Sequence, residues 1–317
     1  MAPDRYDGRG VYQPLTARFW IGRVFVALAA ALVLGLGVTA RVDQTVTQPY
    51  LGVTYIDRVE RLPRDLHVRV VQIDLRAPGI RLKLSAPAGA REVVRETTLE
   101  FLTREGAQIA VNAHFFWPFP SPEREVEVIG LAASDGRVYS GFESPVQSYA
   151  IVANAPAINI DARNRAGVVN ADPARIDGKG VVEPVELWTA VSGSAQIVTG
   201  GLVTVPMYRD ATHPLALLIP GGPGQYSNER SWYDAINART AIGLSRDARV
   251  LTLFTVDARG GSAGMSVREV AAMLVADYGV WDALNLDGGG STSLAMVDPV
   301  TRVASLVNAR RWGQVLN

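Results

Sequence analysis

The chain has 317 residues, 48% of them hydrophobic and 20% charged, which is enough apolar content to bury a sizeable core and excludes a disordered polymer. Lys+Arg and Asp+Glu each number 31, so there is no basic field for nucleic acid, and any anion site has to be built locally. Cysteine is absent, which removes disulfides, thiol nucleophiles and thiolate-held zinc.

Taken from the N-terminus, the first signal is an uncharged apolar run over residues 24–40, about 17 residues long and preceded by Arg5, Arg9, Arg18 and Arg23. On the positive-inside rule this predicts a single-pass inner-membrane anchor, with residues 1–23 cytoplasmic and the body in the periplasm. Val38, Thr39 and Ala40 also have the small-residue form of a signal-peptidase site, so release after cleavage is the alternative. Residues 41–66 contain Pro49 and Pro63 and read as a stalk. Residues 67–75 alternate apolar and polar, residues 76–79 supply a turn, and residues 80–84 alternate again, predicting a hairpin or a pair of sequential strands. A short helix is expected over 97–104 and a strand over 108–111. A hairpin is expected over 131–138, turning at Asp135-Gly136. The middle third, 140–235, is strand-and-loop in character. After an apolar strand over 249–256, residues 266–278 place Val267, Val270, Ala271, Leu274, Val275 and Tyr278 on one helical face. Ser266 and Glu269 make a capping box, and Gly279 stands at C′. A short strand then delivers Asp287. A strand-helix-strand unit favours parallel neighbours, which would put Asp257 and Asp287 at one sheet edge. The fold expected is a single α+β catalytic domain over 67–317, a mixed sheet with packed helices.

Three segments carry chemistry. Residues 285–293, NLDGGGSTS, join a carboxylate to three glycines whose amides can form an anion-holding nest, although a plain glycine-rich turn has the same composition. Residues 112–120, NAHFFWPFP, set Asn112 and His114 beside Phe115, Phe116, Trp117 and Phe119; such a cluster suits a sugar ring or a packed core equally well. Arg239 and Arg259 flank the strand leading to Asp257, either as a phosphate clamp or as ordinary salt bridges. Residues 260–264 fit G-x-S-x-G, but His67, His114 and His213 all precede Ser262, which is the wrong order for an α/β-hydrolase triad. With three scattered histidines and no cysteine, no transition-metal site is expected, and no cofactor.

Taken together, RTAIG at 239–243, VDAR at 256–259, the capped helix, NLDGGGSTS, the upstream NAHFF at 112–116, Ile129-Gly130-Leu131 before Asp135-Gly136 and Val191-Ser192-Gly193 resemble the phosphodiester glycosidase family, while Val307-Asn308-Ala309-Arg310 departs from it by coming sooner after Met296 than the family's Asn-Ala-Leu segment. That family includes the uncovering enzyme and bacterial proteins associated with exopolysaccharide. The resemblance covers roughly residues 67–310; His114 departs from it, standing where the family usually has glycine. It implies hydrolysis between a sugar's anomeric carbon and phosphate, in envelope or exopolysaccharide metabolism. The roles it suggests are Asp287 as base or nucleophile and Asp257 as its partner or for orienting a sugar hydroxyl; His114 is a further catalytic candidate on its own chemistry, since an imidazole ordinarily titrates near neutrality. Arg239, Arg259 and the amides of Gly288, Gly289 and Gly290 would hold phosphate. Asn112, Ser192, Gly193, Thr240, Asn285, Ser291 and Thr292 would contact substrate, with Phe115 and Phe116 as the sugar platform. The partner implied is the substrate, a sugar phosphodiester or glycan. The alternatives are a non-catalytic glycan-binding protein of a polysaccharide export assembly and a glycosyl-phosphate transferase.

Overall fold

The helix announced by Ser266 runs over Val267–Tyr278; the Ser266 side chain accepts from Glu269 N, Glu269 reaches back to the Ser266 amide, and Gly279 closes the helix at φ 65°. A second helix, Thr98–Glu105, starts from the same device at Thr97 and Glu100. These are the only α-helices among the described residues, and strands supply most of the regular structure. The computed structural model describes residues 42–142, 150–221, 224 and 226–308.

The main sheet has eight strands in the spatial order Val42–Tyr50, Val53–Glu60, Leu66–Asp74, Val250–Val256, Arg239–Ser245, Val280–Asn285, Ala195–Thr199 and Leu202–Val203. Every neighbouring pair is antiparallel. Period-2 alternation divides its two faces. Val68, Val70, Ala241, Phe254 and Val256 pack on Val267, Val270, Ala271 and Leu274 of the long helix. On the other face Val71, Ile73, Ile242, Leu251, Leu253 and Leu284 meet Ile158, Ile160 and Val191 of a five-stranded sheet. That second sheet contains the hairpin of Ala132–Ser134 and Arg137–Ser140, where Asp135 and Gly136 both take positive φ, 49° and 77°. Two residues at φ > 0 give the turn whose twist matches its strands.

Several expectations are corrected. The α+β class with a mixed sheet and packed helices gives way to stacked antiparallel sheets with one helix on the outer face. The middle third contributes strands of two to five residues, such as Ala157–Ile160, Thr189–Ser192 and Leu202–Val203, too short for their periodicity to register. The strand-helix-strand unit does not make parallel neighbours, because Arg239–Ser245 lies between Val250–Val256 and Val280–Asn285 and is antiparallel to both. The stalk assigned to 41–66 forms the two strands Val42–Tyr50 and Val53–Glu60; Pro49 sits at a register shift near the first strand's end and Pro63 lies beyond the second strand. The described residues cluster as a single unit. Residues 80–84 form no strand. Their carbonyls are met by side chains instead: Asn164 Nδ2 donates to Ile80 O, Thr189 Oγ1 to Leu82 O and Ser134 Oγ to Leu84 O. The anchor expected over 24–40 lies outside the described residues, and among the described residues no helix is long and apolar enough to cross a membrane. The single-pass inner-membrane placement, with its periplasmic body and its membrane partner, is therefore withdrawn.

Candidate active site

Antiparallel insertion brings distant residues to one sheet edge. Arg239 pairs with Val256, so Asp257 leaves the sheet where Arg239 enters it. Asn285 pairs with both Ala241 and Ala195, which adds Asp287 and the Ser192-Gly193-Ser194 turn. A three-stranded sheet supplies the last wall: Ile109–Val111 pairs with Leu294–Val297, carrying Asn112 alongside the glycine turn.

Asp287 lies in a cavity of about 110 Å³ together with Asn112, His114 and Phe116. Its backbone is clamped on both sides, its N–H donating to Ala113 O at 3.0 Å and its C=O accepting from Asn112 Nδ2 at 2.7 Å. Its carboxylate accepts from Gly288 N at 2.8 Å and interacts with the Ser291 side chain. Burial nonetheless dominates and pushes the carboxyl up to about 6, against these hydrogen bonds and the field of Arg95. A base with this value is protonated in acid, so kcat/KM is expected to rise with pH through about 6 as Asp287 ionises. A pH–rate profile reads this directly, and a flat profile between pH 5 and 7 refutes it.

His114 is neutral near pH 7, because burial lowers it to about 4. Its Nε2 accepts from Ser192 N at 3.0 Å and lies 3.0 Å from Leu131 O, which ties the 112–116 segment to the second sheet. Asn112 is likewise saturated, its Oδ1 accepting from Thr240 Oγ1 at 2.8 Å and from Ser293 N at 3.1 Å. Thr240 and Thr292 are buried in the same stitch.

Arg239 departs furthest from expectation. It is 0% exposed and points to the helix-side face, away from its neighbour Thr240. Its Nε donates to Met265 O at 3.1 Å and its Nη2 to Trp232 O at 2.9 Å and to Ala235 O. The Trp232 ring lies 4.4 Å from the guanidinium carbon, and Phe115 meets that ring edge-on at 5.8 Å. Arg239 is thus a pin for residues 232–235, with only Nη1 lacking a partner among the described residues. Arg239→Met would take a buried donor from the Trp232 and Ala235 carbonyls, Met265 O keeping the Asn237 N–H, and is expected to cost about 3 kcal/mol. A drop in the urea midpoint tests this; unchanged stability would free Arg239 for a ligand role.

Asp257, the expected partner of Asp287, does not line the cavity. It is 1% exposed, with Oδ2 accepting from Arg69 Nη1 at 2.5 Å and Oδ1 from Asn308 Nδ2 at 2.9 Å. The chain of contacts continues from Arg69 Nη2 to His67 Nδ1 at 3.0 Å and from His67 Nε2 to Asp57 at 2.6 Å. Arg259 donates to Gly289 O at 2.9 Å, bracing the glycine turn from outside. Within that turn the amides of Gly288 and Gly289 go to Asp287 Oδ1 and Ala238 O, so two of the three amides of the expected nest are already engaged; Gly289, Gly290 and Ser291 form a short 3₁₀ turn. Gly193 permits a close strand crossing, since a Cβ there would sit 2.1 Å from Asn285 O. Asn285 donates to Ser194 Oγ at 2.9 Å, while its Oδ1 and Ser192 Oγ are buried with no partner among the described residues.

The structure therefore gathers Asp287, His114, Asn112 and Phe116 in one cavity and sets Phe115 and Arg239 apart. Arg95, Trp232, Arg69 and Tyr139 are additions that sequence reasoning missed. Arg95 donates to Ser121 O and Glu123 O at 3.0 Å each, and its guanidinium carbon lies 4.5 Å from the Phe116 ring centre. Among the described residues no three acidic or imidazole groups are placed to hold a metal ion.

No curated protein matches the sequence. Among solved structures, the catalytic domain of zebrafish N-acetylglucosamine-1-phosphodiester alpha-N-acetylglucosaminidase, auto-inhibited by its pro-peptide, superposes with a TM-score of 0.54 at 18% identity, covering 84% of this chain and 80% of that one. A Burkholderia pseudomallei K96243 protein described as exported gives 0.51 at 16% identity, covering 81% and 92%. At these identities the likeness is one of fold. A family model described as phosphodiester glycosidase matches residues 105–314, more than half of the chain. The matched segment holds every cavity residue from Asn112 to Asp287, and the chain belongs to the phosphodiester glycosidase family.

Proposed function

We propose that this chain hydrolyses sugar-1-phosphodiesters at the anomeric carbon, releasing free sugar and a phosphomonoester. The reading is carried by Asp287, a carboxylate clamped at the floor of a cavity and raised to about 6, where it exchanges protons near neutrality. Water adds to the anomeric carbon and gives its proton to Asp287, while the C1–O electron pair leaves on the phosphate oxygen. Phosphate departs without protonation, so a second carboxylate is not required as acid. What the transition state needs is positive potential beside the leaving group, and Arg95, whose field already reaches Asp287, is the candidate to supply it. His114 and Asn112 hold the Asp287 loop in place, and Asp257 anchors the strand end behind it.

The test uses a panel of UDP-sugars and nitrophenyl sugar phosphodiesters in ¹⁸O-water. The expected result is reducing sugar carrying the label at C1. Label in the phosphate would mean P–O cleavage and a phosphodiesterase instead, and a panel left intact would refute hydrolysis altogether.

A further inference from the structure

The cavity beside Asp287 is mixed in its lining: Lys83, Ser85, Glu96 and Thr98 join Asn112, His114 and Asp287, and the remaining wall is apolar. That wall is Leu84, Val93, Val126, Val128, Phe116 and Tyr139, all of which belong to one apolar cluster. The charged side chains that reach it are already spoken for, Lys83 by Glu105 at 2.5 Å and Glu96 by Arg104 at 2.5 Å. The apolar lining continues outward. Val94 lines the cavity and is 36% exposed, and Phe119, 57% exposed, sits edge-on to Phe116 with ring centres 5.7 Å apart. Arg95 holds this rim still by bonding Ser121 O and Glu123 O just beyond it.

Here an exposed phenylalanine and valine lead into an aliphatic slot that ends at the catalytic carboxylate, the arrangement that suits a hydrocarbon. We propose that the slot binds the hydrocarbon part of the leaving group, so that the substrates are sugar phosphodiesters of an alkyl or prenyl alcohol. This rests on the hydrolase reading above. In the reaction water adds to C1, the C1–O bond breaks, and the alkyl phosphate leaves along the slot with both electrons of that bond.

The experiment measures binding of n-alkyl monophosphates, methyl to octyl, to the full chain by titration calorimetry, alongside turnover of the matching sugar alkyl phosphodiesters. Affinity is expected to rise about fourfold per methylene until the slot is filled, then level off. The exposed pair Phe119→Ala/Val94→Ser should flatten that rise, whereas Val46→Ser on the outer strand should keep it. Affinity independent of chain length overturns the proposal, as does a rise that the Phe119/Val94 pair leaves intact, or tighter binding of hexose phosphates than of octyl phosphate. A chain-length dependence without turnover of any diester would leave the slot standing and reject the hydrolase reading instead.

Discussion

Asp287→Asn is expected to lower kcat by about 10²-fold or more, the scale on which a positioned base contributes. Asparagine keeps the size and accepts from Gly288 N, so the glycine turn survives while the proton acceptor is lost. Stability should move in the opposite direction. Folding raises the Asp287 carboxyl from 3.8 to about 6, so the folded state binds the proton more tightly than the unfolded state. Ionisation between these values therefore costs the folded protein, and the penalty is complete above about pH 6. The asparagine variant escapes it and should be more stable than wild type at pH 7, with the difference vanishing below pH 4. Denaturation at both pH values alongside steady-state kinetics separates the two effects. A folded variant with wild-type turnover reduces Asp287 to a turn residue and ends the mechanism proposed here.

Removing Asp257 should do the reverse, damaging the fold more than any chemical step. Arg69 is buried beside it, and Asp257→Ala leaves that guanidinium without its counter-ion, a change that typically costs about 3–5 kcal/mol. The paired replacement Arg69→Met/Asp257→Leu removes both charges at once and is expected to restore most of the loss. Urea midpoints of the three proteins decide the matter. If Asp257→Ala unfolds at the wild-type midpoint yet loses turnover, Asp257 touches substrate and the anchoring role assigned to it is wrong.

The legible parts of the chain were those whose signal is local. Both halves of the Ser266 helix, its capping box and its C′ glycine, lie within the turn they control, and the Asp135-Gly136 hairpin needs only two residues. Asp287 could be read as a site because a carboxylate followed by three glycines is unusual within nine residues. Partnership could not be read, because it is set by strands that meet only in the fold. Arg239 stands two positions before Ala241 on the helix-side face, a phase that no motif match reports, and Trp232, which covers it, has no cue in its neighbours. Arg69 did leave a trace. It shares a strand phase with Val71 and Ile73, and a charge on an otherwise apolar face needs a buried partner. Within the stretch 41–66, read from the sequence as a stalk, two prolines outweigh a polar but β-prone pattern whose outer strand stays solvent-facing.

The order of strands in the main sheet also governs when the protein can become a protein. Leu66–Asp74 finds its inner neighbour only in Val250–Val256, and the ion pair that locks the two joins residues 188 positions apart. During synthesis the early hairpin must wait, with Val68 and Val70 uncovered, until nearly the whole chain has emerged. Loop closure over that span is slow, and the waiting strands present an unpaired edge throughout. A ribosome stalled before Val256 would therefore hold an adhesive three-stranded fragment, and a chaperone that shields it would act on the first third of the sequence.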